Sequence, residues 1–343
     1  MIDIDISALA DNISRFCYIV TVFFNTLLIY LTTCHPNKQI VGTYRNMIVI
    51  FALLGMWFAT TDILVRPLLH SYNGSFVYFT LGSTFRNSKP SAEKALLMYG
   101  AMYGVVISFV TIQFMYRACV LAKPSWAKHF DGFKLIIWLI FVLLAGLIWA
   151  NGSRISSPDE YAYQYIEHEI MVEYGVSVRK IAIFTFLAYN ADGTFRSNTL
   201  CSLGSLGLLA MYLYTTCLIC GTIMYRRMQG SMSSFSNQHE KLQKQFFVAL
   251  LYQITTPFLC CHIPCTALFL LPYLNLEIKF HSTIFVYAFN TYPLVDSLIF
   301  LNVVSVYKHA LKKFWKLVMK EWEDTVGANY IPEPSMSVVM SRM

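Results

Sequence analysis

The stretch Asn290-Thr291-Tyr292-Pro293-Leu294-Val295-Asp296 decides the fold of this chain. It lies inside an apolar run, 282–307, in which Asp296 is the only formal charge. About 20 apolar residues suffice to cross the hydrocarbon core of a bilayer, so the run spans it. A carboxylate near mid-bilayer costs about 3 kcal/mol on insertion scales, so Asp296 must face protein or water rather than lipid. Pro293 removes a backbone donor and clashes with the carbonyl four residues earlier, which bends the helix beside the acid. With Asn290 and Tyr292 close by, this suits a helix that rearranges. It also fits a fixed kink whose Asp is simply hydrogen-bonded.

Composition extends that reading to the whole chain. Hydrophobic residues make up 56% of the 343 residues and charged residues 13%. Soluble domains carry about 25% charge, so the chain is an integral membrane protein. The net charge of +7 comes from basic residues flanking apolar runs, which points to topology and not to nucleic acid. None of the nine cysteines has zinc-ligand spacing in a loop, and most fall within apolar runs as small hydrophobes, so no metal or cofactor is implied. The first apolar run follows Asp3, Asp5 and Asp11 without a basic start, unlike a signal peptide.

Seven spans are predicted: 16–33, 46–65, 95–116, 135–151, 199–225, 245–274 and 282–307. They form an all-α bundle, with one receptor-sized domain over 1–323 and a disordered tail over 324–343. Sixteen Lys and Arg residues lie in the loops after the odd-numbered spans and in the tail, against ten on the other side. The positive-inside rule therefore puts the N-terminus outside and the tail in the cytoplasm. Three Asn-x-Ser glycosylation sequons, at Asn12, Asn73 and Asn151, share the predicted outer side.

Within this frame, individual groups acquire readings. Asp62 and Arg66 are one helical turn apart and should neutralise each other. An intramembrane protease would need Asp62 and Asp296 at one depth, yet at about 1.5 Å per residue they lie ~24 and ~16 Å from the inner helix ends. The chain also has no Gly-x-Gly-Asp sequence, so enzyme chemistry is not expected. Arg117 ends span three after Tyr116, where it could snorkel to the interface. Pro257 and Pro264 make span six the other candidate moving helix. The 47-residue outer loop from 152 to 198 is acidic and aromatic; folding over a cavity mouth and remaining solvated are both open to it. Beyond span seven, Leu311, Phe314, Trp315, Val318 and Trp322 share one helical face, with lysines largely opposite, as in a helix lying on an anionic leaflet.

These pieces together resemble a nematode serpentine chemoreceptor of the Str type. The match extends over most of the chain. It rests on Val41-Gly42-Thr43-Tyr44-Arg45, on Arg66-Pro67 with His70, and on Phe114-Met115-Tyr116-Arg117. The most specific parts are Gln245-Phe246-Phe247-x-Ala249-Leu250-x-x-Gln253-x-Thr255-x-Pro257 and Tyr292-Pro293-x-x-Asp296. Ser297 departs from a frequent second proline and Ala118 from a frequent Tyr. The resemblance implies an odorant or pheromone receptor of sensory cilia in the plasma membrane, coupled to a heterotrimeric G protein. Tyr116 stands where a rhodopsin-type receptor has an acid before its arginine, and the outer loop lacks that family's cysteine.

On this reading a small apolar molecule enters from outside between spans three, five, six and seven. Tyr99, Met102, Tyr103, His262, Cys265, Phe285, Phe289 and Asn290 are the candidate lining. Bending at Pro257 and Pro293, next to Tyr292 and Asp296, then exposes Arg117, Arg226 and Arg227 beside Tyr116 to the G protein. The alternative is an odorant-gated channel or transporter, which an insect-type inside N-terminus would mark.

Overall fold

The computed structural model describes residues 6–34, 42–230, 237–274 and 284–328. It is a helix bundle with a small sheet at the end expected outside. The helices are α1 (Ile6–Thr33), α2 (Thr43–Val65), α3 (Lys89–Ala122), the short α4 (Pro124–Ala127), α5 (Lys134–Ile155), α6 (Glu160–Tyr174), α7 (Ser197–Gly230), α8 (Asn237–Pro257), α9 (Ile263–Leu270), α10 (Ile284–Val303) and α11 (Ser305–Ala328). The strands are β1 (Pro67–Tyr72), β2 (Ser75–Thr80) and β3 (Ala182–Leu187), in the antiparallel order β1-β2-β3.

Seven crossings are built from α1, α2, α3, α5, α7, the α8–α9 pair and α10. Six of these are long and apolar enough by themselves, and the seventh turns by 95° at its inner end into α11. The seven expected spans thus all fall on helices, most of which extend past the apolar core. The tail helix begins at Ser305 and runs to Ala328; residues 329–343, most of the expected disordered tail, lie outside the described residues. Leu311 and Phe314 pack on the bundle, whereas Trp315, Val318 and Trp322 stay exposed, ready for a lipid surface.

Helix α3 is the central post. It is apolar around its whole circumference, so it buries on every side, with Phe109, Val110 and Ile112 fully enclosed. Gly104 allows the close approach to α5: a Cβ there would meet the Ala145 carbonyl oxygen at 3.1 Å. Helix α5 instead turns Ile140, Leu143, Leu144 and Leu147 outward, as a lipid-facing helix does. Asp62 corrects one expectation. It hydrogen-bonds Ser14 of α1 and Tyr99 of α3, while Arg66 adopts the left-handed conformation that ends α2 and reaches the Ile63 carbonyl at 3.4 Å.

The outer loops supply the least expected part. Asn73-Gly74, first read as a sequon, is the two-residue turn of the β1–β2 hairpin, with Asn73 at φ 45°. Asn is among the few non-glycine residues that tolerate the positive φ this first turn position takes. Asn12 is an exposed residue of α1 just before the span, and Asn151 is an exposed residue of α5 whose amide donates to the Leu147 carbonyl. The 152–198 loop folds: α6 packs Ile166 and Ile170 against Val77, Phe79 and Ile183 on one face of the sheet, and β3 pairs with β2. His70 of β1 joins the two loops through Glu169 (3.1 Å) and Tyr174 (3.2 Å). Burial, with Glu173 and Glu169 adding to it, pushes the Tyr174 hydroxyl above the ordinary tyrosine range. It therefore stays protonated, and His70 bridges it through Nδ1 to Glu169 through Nε2.

Asp159 caps α6 by accepting from the Ala162 N–H at 2.9 Å and pairs with Arg196 at 2.6 Å. Partial burial raises its carboxyl, but those partners outweigh burial and hold it below the usual range. Its contribution is therefore complete above the ordinary aspartate pKa and is lost as pH falls through the lowered value. Asp159→Ala should weaken the cap by about 1 kcal/mol, seen as faster hydrogen exchange across Glu160–Tyr174. Acidification below that value should have the same effect in the wild type and little in the variant; unchanged exchange in both would refute the assignment.

Candidate functional site

The sheet and the outer halves of the helices enclose a cavity of ≈ 270 Å³. Its walls are Tyr99, Gly100 and Tyr103 of α3, Trp149 and Ser153 of α5, Leu203, Leu206 and Gly207 of α7, His262, and Cys265, Thr266, Phe269 and Leu270 of α9. Leu69 of β1, Phe76 and Tyr78 of β2 and Phe186 of β3 roof it, and Phe58 of α2 closes one flank. Phe269 locks the roof down, with ring centroids 5.2 Å from both Phe76 and Phe186. The lining is almost entirely apolar and aromatic, with a polar pair set in it: Tyr103 Oη lies 2.8 Å from His262 Nδ1. Trp149 packs on Tyr103 at 4.6 Å between ring centroids.

Of the expected lining residues, Tyr99, Tyr103, His262 and Cys265 are brought together here. Met102 is buried in the helix core instead. The side chains of Phe285, Phe289 and Asn290 lie outside the described ones. The roof residues and Trp149 were missed. The usable signal was Asn73-Gly74 between two short runs rich in aliphatic and aromatic residues, which marks a hairpin.

At the opposite end Arg117 does not snorkel. It is 5% exposed, with its guanidinium carbon 3.3 Å from the centroid of the Tyr44 ring and 4.1 Å from that of Phe246. Its Nη1 donates to Gln243 Oε1 at 2.8 Å. Tyr116 stacks on Tyr44 at 6.1 Å. An arginine without an acid is thus wrapped by two aromatic faces from α2 and α8, which stabilise a desolvated cation by about 1–2 kcal/mol each. Arg226 and Arg227 are already exposed, so Arg117 is the covered member of the expected trio.

Between cavity and arginine lies the link anticipated around Asp296. Asp296 of α10 is buried and accepts from Gln253 Nε2 of α8 at 2.5 Å. Pro257 has no N–H for the carbonyl of Gln253, four residues back, and the Tyr292 hydroxyl donates to that carbonyl at 3.2 Å. Just beyond Pro257 the helix widens into one π turn, Phe258–His262, which carries His262 to Tyr103. Asn25 of α1 reaches the Pro293 carbonyl at 3.5 Å. Gln245 Oε1 accepts from both the N–H and hydroxyl of Ser305, at 2.9 Å each, fixing the elbow into α11. Among the described residues no group of His, Cys, Asp and Glu could hold a metal ion.

Comparison with known proteins places this geometry. A family model described as serpentine type 7TM GPCR chemoreceptor Str matches residues 10–312. The chain is 35% identical over 320 residues to the Caenorhabditis elegans protein named G-protein coupled receptor str-33, covering 91% of this chain and 92% of that one. It is 22% identical over 326 residues to serpentine receptor class r-10 of the same organism, covering 92% and 95%. Among solved structures, squid rhodopsin superposes with a TM-score of 0.57 at 14% identity, covering 92% of this chain and 82% of that one.

The Tyr292–Gln253 bond yields a double-mutant test. Tyr292→Phe should cost about 1–2 kcal/mol in detergent, read as a lowered melting temperature, by leaving a buried carbonyl short of a donor. In a Pro257→Ala background, which restores the helical N–H, the same change should cost less than half as much. Equal losses in both backgrounds would show that the hydroxyl does not replace the missing donor.

Proposed function

The chain belongs to the serpentine Str family of seven-transmembrane chemoreceptors, and we propose that it binds a small odorant or pheromone in the outer cavity and activates a heterotrimeric G protein at the inner face. That it is a multi-pass membrane receptor follows from the family. The observation that carries the finer reading is one continuous arrangement. Cavity residue His262 sits on the π turn of span six, Pro257 and Gln253 follow on that span, and Gln253 holds Asp296 of α10. One helix therefore carries the ligand contact, the link to span seven and, at Phe246, part of the cover over Arg117. A ligand that prefers a different position of Tyr103 or His262 shifts the balance of two states of this helix. In the resting arrangement Arg117 is covered; in the active one Tyr44 and Phe246 separate and free it for the G protein. The sensory cilia of chemosensory neurons are the proposed location.

A G-protein reporter in cells expressing the receptor, exposed to a panel of volatile and water-soluble odorants, tests this. At least one odorant should elicit a response that Arg117→Ala abolishes while surface expression stays intact. Tyr44→Ala should raise the basal signal by about five- to thirtyfold, the equivalent of losing about 1–2 kcal/mol of cover on the resting state. Normal signalling by Arg117→Ala at wild-type surface levels would refute the inner half of the proposal.

A further inference from the structure

The cavity's walls differ sharply in exposure. On the roof, Leu69, Phe76 and Phe186 are 7%, 3% and 4% exposed, and on the α3–α5 side Tyr99 and Ser153 are both 7% exposed. The side between α7 and α9 is different: Gly207, Thr266 and Leu270 line the cavity and are themselves exposed. A Cβ built at Gly204 or Gly207 meets no heavy atom within 4 Å. Gly207 is ten residues into α7, about 15 Å below its outer end at 1.5 Å per residue, which is hydrocarbon depth and not water. Among the described residues, the thinly walled flank therefore faces lipid, while the roof is a three-stranded sheet with an aromatic clamp.

We propose that the cavity is fed sideways from the bilayer through a gap between α7 and α9, and that its ligand is a lipophilic molecule that partitions into the outer leaflet before binding. This rests on the cavity being the ligand site, and it revises the direct route from outside that the sequence led us to expect. The mostly apolar lining fits a ligand that has already left water, and the Tyr103–His262 pair offers an anchoring point for one polar atom of it. The glycines serve the route by what they lack, since any larger side chain at 207 would stand in the gap.

Photolabelling of the full receptor in vesicles tests the route without knowing the natural ligand. One sample carries a small apolar aryl-diazirine dissolved in the membrane; the other has a sulfonated aryl-diazirine in the outer buffer. Mass spectrometry then reads insertion at Tyr103 and Phe76. The apolar probe should mark both residues and the sulfonated probe neither. Gly207→Trp should lower apolar labelling of Tyr103 at least about fivefold, because an indole fills a gap of side-chain size. Labelling of lipid-facing Ile140 and Leu144 should stay constant and report an intact fold and equal probe loading. If Gly207→Trp does not fold, Thr266→Trp on the facing helix makes the same obstruction. Labelling of Tyr103 by the sulfonated probe as readily as by the apolar one, or labelling unaffected by either tryptophan, overturns the portal. Either result leaves the cavity itself standing as the ligand site, which only the reporter assay can remove.

Discussion

An ionisable group inside a membrane must be wrapped by protein, and at Asp296 and Arg117 the receptor solves that problem with different chemistry. Asp296 is held by a side-chain amide, and Arg117 by two aromatic faces and a glutamine. Neither solution uses an opposite charge. An ion pair would have held Arg117 strongly but with a large penalty on separation, since each partner would be left buried and alone. An aromatic cover gives less and is easier to part, because the rings remain satisfied by apolar neighbours when the cation departs. The covering residues come from α2 and α8, so on the proposed mechanism relative motion of those helices would uncover the arginine.

The outer end follows a contrasting logic. Two loops separated in the chain by α3 and α5 form one sheet, and a buried histidine ties them together through Glu169 and Tyr174. The eight described cysteines are all free, so hydrogen bonding and aromatic packing do the work that a disulfide does elsewhere. Arg196 and Asp159 anchor the far end of the same loop. The roof is thus a folded element with its own small core, not a strap.

How much of this was legible in the sequence depends on the range of the interaction. The seven crossings were legible because hydropathy and length act locally, and Pro257, Pro293 and Asp296 stood out because each breaks a local rule. Arg117 was visible as an anomaly, but its aromatic cover was not, since Tyr44 and Phe246 approach it only after α2, α3 and α8 pack. The 152–198 loop hid its strand for the same reason: Ala182–Leu187 is buried over its whole length, so it shows no alternation to detect. The hairpin was readable at Asn73-Gly74, the same residues that open a glycosylation sequon. Asp62 misled because spacing on one helix says nothing of a nearer hydroxyl on another.

The hydroxyl of Tyr292 has a consequence for how such chains diversify. Its acceptor is a main-chain oxygen, so no substitution of the side chain at position 253 takes that acceptor away; what creates the need is the imino acid at 257. A tyrosine on one helix and a proline on another therefore form a single heritable unit. Losing the tyrosine while the proline remains leaves the carbonyl short of a donor, so lineages should shed the proline no later than the tyrosine.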